Sequence, residues 1–142
     1  MLEKLINIEN EKVHTYNSEI IKGVCSYLNI TTRIKANNEE FLELEKDLEN
    51  SDLPQNEIKS ARIIEICKNQ NADTYINPSG GTNLYNKPYF KRNNLSLFFM
   101  NTKEFKYNQF GLDFEPHLSI IDVLMHNGKE GSKSIIKKYS LI

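Results

Sequence analysis

Asn77, Ser79, Gly80 and Gly81 lie in a turn-rich run, Asn77-Pro78-Ser79-Gly80-Gly81, after a short apolar stretch (Thr74-Tyr75-Ile76) and before a helix-compatible segment opening at Leu84. A glycine pair between strand and helix lets the backbone turn sharply and brings N–H groups close to a ligand. The chemistry this suits is the cradling of a phosphate or a sugar hydroxyl; the plain alternative is a tight connection. The run lacks the lysine of a P-loop and the third glycine of a dinucleotide fingerprint, so both readings stand.

A second group lies downstream. Nine of the fourteen aromatic residues fall between 85 and 114, and Phe105, Tyr107, Phe110 and Phe114 belong to a stretch read as loop. So much apolar area must pack on the protein itself, a partner or a ligand. Tyr107, Gln109 and Phe110 are therefore candidates for one wall of a binding site, and Asp122 is the carboxylate best placed to serve as a base. Asp122 also has a structural reading, because Ser119-Ile120-Ile121-Asp122 has the spacing of a capping box. His126 follows one helical turn later, so an Asp–His pair is geometrically available. Glu115, His117, Asp122 and His126 form no recognised metal spacing, and no metal site is expected. No Ser-His-Asp or Cys-His nucleophile arrangement can be argued.

The elements that must position these residues alternate. Helical periodicity covers residues 17–28, 39–50, 56–69, 85–91, 118–126 and 129–138, and strand patterns cover 31–36, 74–76 and 95–100. Leu95 to Met100 is apolar on both faces, as a central strand covered on both sides should be. The acidic segment 39–50 carries a narrow stripe of Phe41, Leu44 and Leu48 and reads as a solvated helix along one edge. The expected fold is a single α/β domain over residues 1–142, of three-layer type, with a short, mostly parallel sheet flanked by helices. In such sheets ligands bind beyond the carboxyl ends of the strands. Loops 77–83 and 101–117 both leave those ends and are expected to line one rim.

Composition narrows the function classes. At 142 residues, 39% hydrophobic and 26% charged, the chain is long enough for a real core and is not a disordered type. A net charge of -1 leaves no basic excess for nucleic acid. No apolar run reaches the roughly 20 residues that span a bilayer, and Met1-Leu2-Glu3-Lys4-Leu5 lacks the layout of a signal peptide. A cytoplasmic protein is expected, with Cys25 and Cys67 as small buried hydrophobes rather than a disulfide.

At this point a family comes into view. Asp73-Thr74-Tyr75-Ile76-Asn77-Pro78, Gly80-Gly81, Leu84-Tyr85 and Phe90 resemble a signature of the WbqC-like family. So do Tyr107-x-Gln109-Phe110, Phe114-x-Pro116 and Leu118-Ser119-Ile120-Ile121-Asp122-Val123-Leu124, and upstream Val24-Cys25-x-Tyr27-Leu28 and Ile64-x-Ile66-Cys67. The resemblance runs over roughly residues 14–142 and is most specific in the second half. It implies a bacterial, cytoplasmic protein of surface polysaccharide (O-antigen, lipopolysaccharide) biosynthesis that binds or modifies a nucleotide-linked or activated sugar. Family members begin with a further segment bearing a Gln-Pro-x-Tyr-like start and a Pro-x-x-Gly-Tyr-Phe-like turn. That segment resembles the first loop of HIGH-type nucleotidyltransferases. Neither motif occurs here, so the resemblance implies the carboxyl-terminal part of such a protein.

Two function classes result. In the first the chain is a sugar-precursor-modifying transferase, or the larger part of one: Asn77, Ser79, Gly80 and Gly81 hold phosphate or hydroxyls, Tyr107, Gln109 and Phe110 form the opposite wall, and Asp122 is the base. In the second it is a non-catalytic binding or assembly domain, or an inactive fragment, whose aromatic loop docks a partner chain. Neither class identifies a cofactor.

Overall fold

A computed structural model of the chain describes residues 2–9, 12–111 and 113–142. Its elements run α1 (Leu2–Ile6), α2 (Val13–Tyr27), a 3-10 turn (Glu39–Phe41), α3 (Leu42–Glu49), α4 (Gln55–Asn69), β1 (Thr74–Pro78), a 3-10 turn (Ser79–Gly81), α5 (Lys87–Arg92), β2 (Ser96–Thr102), α6 (Ile120–Ile135) and β3 (Tyr139–Leu141). This is an α/β fold. Its contacts group into two compact units, residues 1–37 with 104–138, and residues 38–103 with 139–142.

The second unit holds the sheet, in the order β1-β2-β3. β1 and β2 are parallel, with Ile76 opposite Phe98. β3 joins antiparallel, with Leu141 opposite Met100, so the sheet is mixed. Leu97 and Phe99 point inward and pack with Ile64 and Cys67 of α4, Phe90 of α5, and Leu95. Phe90 has no solvent exposure at all. The expectation that β2 is covered on both faces is corrected: Phe98 and Met100 alternate outward and are exposed. The helical period of α4 explains the inward side, since Ile64 and Cys67 share one face. α3 lies along α4 through buried Phe41 and Leu48, and the Arg62 guanidinium meets Glu45 at 2.5 Å.

Three helices end in the same way. After α2, α4 and α5 an asparagine takes a left-handed conformation: Asn29 (φ 57), Asn71 (φ 53) and Asn94 (φ 60). In each, the next residue's N–H returns to a carbonyl five positions back: Ile30 to Cys25, Ala72 to Cys67, Leu95 to Phe90. These are Schellman caps, which satisfy the last carbonyls and turn the chain out of the helix. Two of them lead directly into β1 and β2.

The first unit is built on α2 and α6. α6 carries non-helical geometry at Gly128 (φ 60, ψ -167), which matches the two helical patterns read on either side of it. Before the break the Asn127 amide donates to the Val123 carbonyl at 2.8 Å, and across it the Ser132 hydroxyl donates to the same carbonyl at 3.4 Å. Lys129 Nζ donates to Asn29 Oδ1 at 3.0 Å and lies over the Tyr27 ring, joining α6 to the end of α2.

Other expectations shift with pairing. Residues 31–36 are not a strand, whereas β3, for which the sequence carries no clear signal, completes the sheet. Among the described residues, no helix is long and apolar enough to cross a membrane. Both cysteines are free, and burial pushes the Cys67 thiol above its ordinary pKa.

Candidate functional site

Residues 105–109 run extended without joining a sheet, and their exposure alternates: Phe105, Tyr107 and Gln109 are half-buried, while Lys106 and Asn108 face out. That period of two delivers Tyr107 and Gln109 to the same side. On that side lies the first turn of α6. Ser119 caps it, its Oγ accepting from the Ile121 N–H at 3.2 Å, so Asp122 falls in the helix's first turn, where a carboxylate is favoured.

The Asp122 carboxylate is the hub of the cluster. Tyr107 donates its hydroxyl to Oδ2 at 2.5 Å, and Gln109 Nε2 donates to the same oxygen at 3.1 Å. The other oxygen, Oδ1, is 3.4 Å from His126 Nε2. The Gln109 amide is itself fixed on both ends, donating to the Glu115 carbonyl at 3.1 Å and accepting from the Glu115 N–H at 2.8 Å. Rings close the arrangement. Phe114 meets Tyr107 edge-on at 5.3 Å, Phe105 stacks on it at 6.2 Å, and Phe110 lies 4.6 Å from the His126 ring. A cavity of about 330 Å³ opens beside it, lined by Lys106, Tyr107, Asn108, Gln109 and Phe114.

Hydrogen bonding to the ionised form sets the electrostatics. Tyr107's bond first, then Gln109's and the charge of His126, hold the Asp122 carboxyl below its ordinary pKa against the opposing effect of desolvation. The same bond, with desolvation, raises the Tyr107 phenol. Of the capping box only the Ser119 half forms, through the Ile121 N–H, and Asp122 makes no reciprocal bond to Ser119 among those of the described residues. Ser119 does cap, but the carboxylate turns to Tyr107, Gln109 and His126. His126, legible as the i+4 partner, is the member that a search for loop residues misses.

The other candidate residues lie in the second unit. Asn77 ends the buried-side alternation of β1, and its side chain works locally: Oδ1 accepts from the Tyr75 hydroxyl at 2.9 Å and Nδ2 donates to the Pro78 carbonyl at 3.0 Å. Tyr75 in turn stacks on Phe90 and meets Tyr85 edge-on, and burial raises its phenol to about 12. Ser79, Gly80 and Gly81 form one 3-10 turn, bonded through Thr82 N–H to the Ser79 carbonyl and Leu84 N–H to the Gly81 carbonyl. Gly81 has a packing reason: a Cβ there would lie 1.8 Å from Asn77 Nδ2. Gly80 has none, since a Cβ would meet nothing within 4 Å. The α-helix after the turn begins only at α5, capped by Asn86, whose Oδ1 accepts from the Tyr89 N–H at 3.1 Å.

Among the described residues, no group of three or more His, Cys, Asp or Glu side chains could hold a metal ion. What the cluster can do is organise proton-bearing side chains around one carboxylate next to a small aromatic-walled cavity, within an α/β protein. The chain belongs to the WbqC-like protein family, whose model matches residues 1–134. That match takes in the first residues, which the resemblance at 14–142 had left out. No curated protein and no solved structure matches the chain.

Proposed function

We propose that this protein serves bacterial surface polysaccharide biosynthesis of the O-antigen or lipopolysaccharide type, in the cytoplasm, by binding or modifying a nucleotide-linked or activated sugar. The observation that carries this reading is the convergence of Tyr107 and Gln109 on Asp122 beside a cavity of about 330 Å³. Ligand sites of this kind have apolar walls and a few fixed polar groups, and the volume suits a single sugar ring. Tyr107 and Phe114 supply ring faces, Asn108 supplies an amide for hydroxyl groups, and the Asp122 carboxylate holds Tyr107 and Gln109 in place at the cavity wall. The wider setting is what the resemblance to the WbqC-like family implies, and membership of that family supports it. In this reading Asn77, Ser79, Gly80 and Gly81 remain a second element for a phosphate or hydroxyl. Gly80, open on all sides, is the position to probe, because a larger residue at Gly81 would disturb Asn77 itself.

A thermal-shift screen against nucleoside phosphates and nucleotide-linked sugars tests it. A binder at one hundred times its Kd stabilises the protein by about 2.7 kcal/mol. The expected result is a shift confined to nucleotide-linked sugars and reduced at least tenfold in apparent affinity by Asn108→Ala or Gln109→Ala. A cooperative melt that no compound moves contradicts the reading. One observation favours a second reading, docking of a partner chain: Phe110, an aromatic residue of the loop, is 86% exposed. Sedimentation at several concentrations, alone and with candidate partner chains, discriminates between them.

A further inference from the structure

His126 takes no part in the reading above and does not itself line the cavity, yet its side chain is held within the Asp122 cluster. Its side chain is only 11% exposed, although it sits on a helix otherwise open to solvent at Met125 and Ile121. Nε2 faces Asp122 Oδ1 at 3.4 Å, and the ring is flanked by Phe110 at 4.6 Å and Tyr107 at 5.9 Å. The charged or titratable groups recorded against it are Asp122 on its own helix and Tyr107 from the extended segment.

Asp122 itself is poorly disposed to take a proton. Its Oδ2 already accepts two hydrogen bonds, and ionised carboxylates so bonded lose their basicity. An imidazole is the side chain whose charge changes between pH 5 and 8, and a carboxylate on one ring nitrogen fixes which nitrogen is left to accept.

We propose that His126 is the proton acceptor of this site, that Asp122 is its positioning residue through Oδ1 and Nε2, and that Phe110 is the cover over its ring. With the hydrogen on Nε2, the nitrogen 3.4 Å from Asp122 Oδ1, Nδ1 carries the free electron pair. A ligand hydroxyl gives its hydrogen ion to Nδ1 and keeps the bonding pair on oxygen, which is thereby made nucleophilic. The imidazolium formed is balanced by the Asp122 carboxylate. The ligand must therefore carry a free hydroxyl that reaches the ring, as a sugar does, and this step rests on the sugar-precursor reading.

The test needs no substrate. Nitrogen-15 spectra of the imidazoles are recorded at about pH 8, where the ordinary imidazole is neutral. The assignment expects the Nε2–H tautomer for His126 in the unaltered protein; the Nδ1–H tautomer overturns it. Asp122→Asn should reverse the tautomer, because the amide oxygen keeps the Tyr107 and Gln109 donors and its NH2 then faces Nε2. An unreversed tautomer in a folded variant overturns the positioning role. Acylation by diethyl pyrocarbonate, followed residue by residue, uses exposed His14 and His117 as internal standards. Phe110→Ala should speed reaction at His126 about tenfold and leave the other two unchanged; an unchanged rate overturns the cover. If a nucleotide-linked sugar binds while His126 is the wrong tautomer, this assignment fails and the ligand reading stands. If none binds while the tautomer behaves as expected, the Asp122–His126 pairing is supported and the ligand reading fails.

Discussion

The turn at 79–81 and the loop at 105–115 were equally prominent as candidates, and they are held by different forces. The turn rests on packing: Tyr75, Tyr85 and Phe90 form an aromatic trio at β1, and the Asn77 amide passes so near Gly81 that a Cβ there would displace it. The loop rests on a charge: Tyr107 and Gln109 are tied to one half-exposed carboxylate, Asp122. A packed turn answers to volume and barely to pH. A loop gathered on a carboxylate answers to pH, and it brings groups that can exchange protons to a cavity. In the proposed function the loop carries the chemistry, and the turn reads first as architecture.

Four experiments separate packing from charge in these regions. The largest effect should come from Phe90→Ala, which empties the centre of the second unit's core and should cost about 3–5 kcal/mol in denaturant unfolding. A loss under 1 kcal/mol would mean that packing does not organise this region. Next, Gly81→Ala should destabilise by about 1–3 kcal/mol through overpacking against Asn77, whereas Gly80→Ala should stay within about 0.5 kcal/mol. Equal effects at the two positions would remove the packing account of the turn. Third, Asn94→Ala should cost about 1 kcal/mol, because alanine resists the left-handed cap, while Asn94→Gly should change stability by only a few tenths.

The fourth effect is smaller in energy and specific to the loop. The folded pKa of Asp122 lies below its unfolded value, so its contribution is complete above the ordinary carboxyl range. That contribution is lost as pH falls from about 3.9 through the lower folded value. Tyr107 acts in the opposite sense: its raised pKa favours the fold below its ordinary range, and the contribution is lost as pH rises through the folded value. Amide shifts of Tyr107 and Gln109 should follow the acid titration, vanish in Asp122→Asn, and leave Asn77 and Gly80 unmoved. A matching response at Asn77 would erase the distinction between the two regions.

Much of this was legible in the residues, for reasons that can be named. The apolar period of α4, the strands β1 and β2, and the break at Gly128 follow from side-chain spacing and backbone preference, which are local properties. Residues 31–36 carry a strand pattern without forming a strand, because Thr31, Thr32 and Ile34 favour extended chain and strand propensity does not say what the chain pairs with. β3 escaped notice because its three residues become a strand only by exchanging bonds with β2, as in the mutual Phe99–Ile142 pair at 2.9 and 3.0 Å. The helix-ending asparagines were visible as letters, but their role depends on a left-handed conformation that Asn shares with many turns. At the site, the alternation of Phe105, Tyr107 and Gln109 and the i+4 spacing of Asp122 and His126 were both present. Their meeting on one carboxylate is a long-range event that no local pattern contains.

The most direct test of the loop as the functional site is an amide-resolved NMR titration of the protein with a nucleotide-linked sugar. The account predicts shifts concentrated at residues 105–110, at Phe114 and Glu115, and along the first turns of α6 through His126. Saturating ligand that moves only the 77–81 turn, or moves nothing, would contradict it.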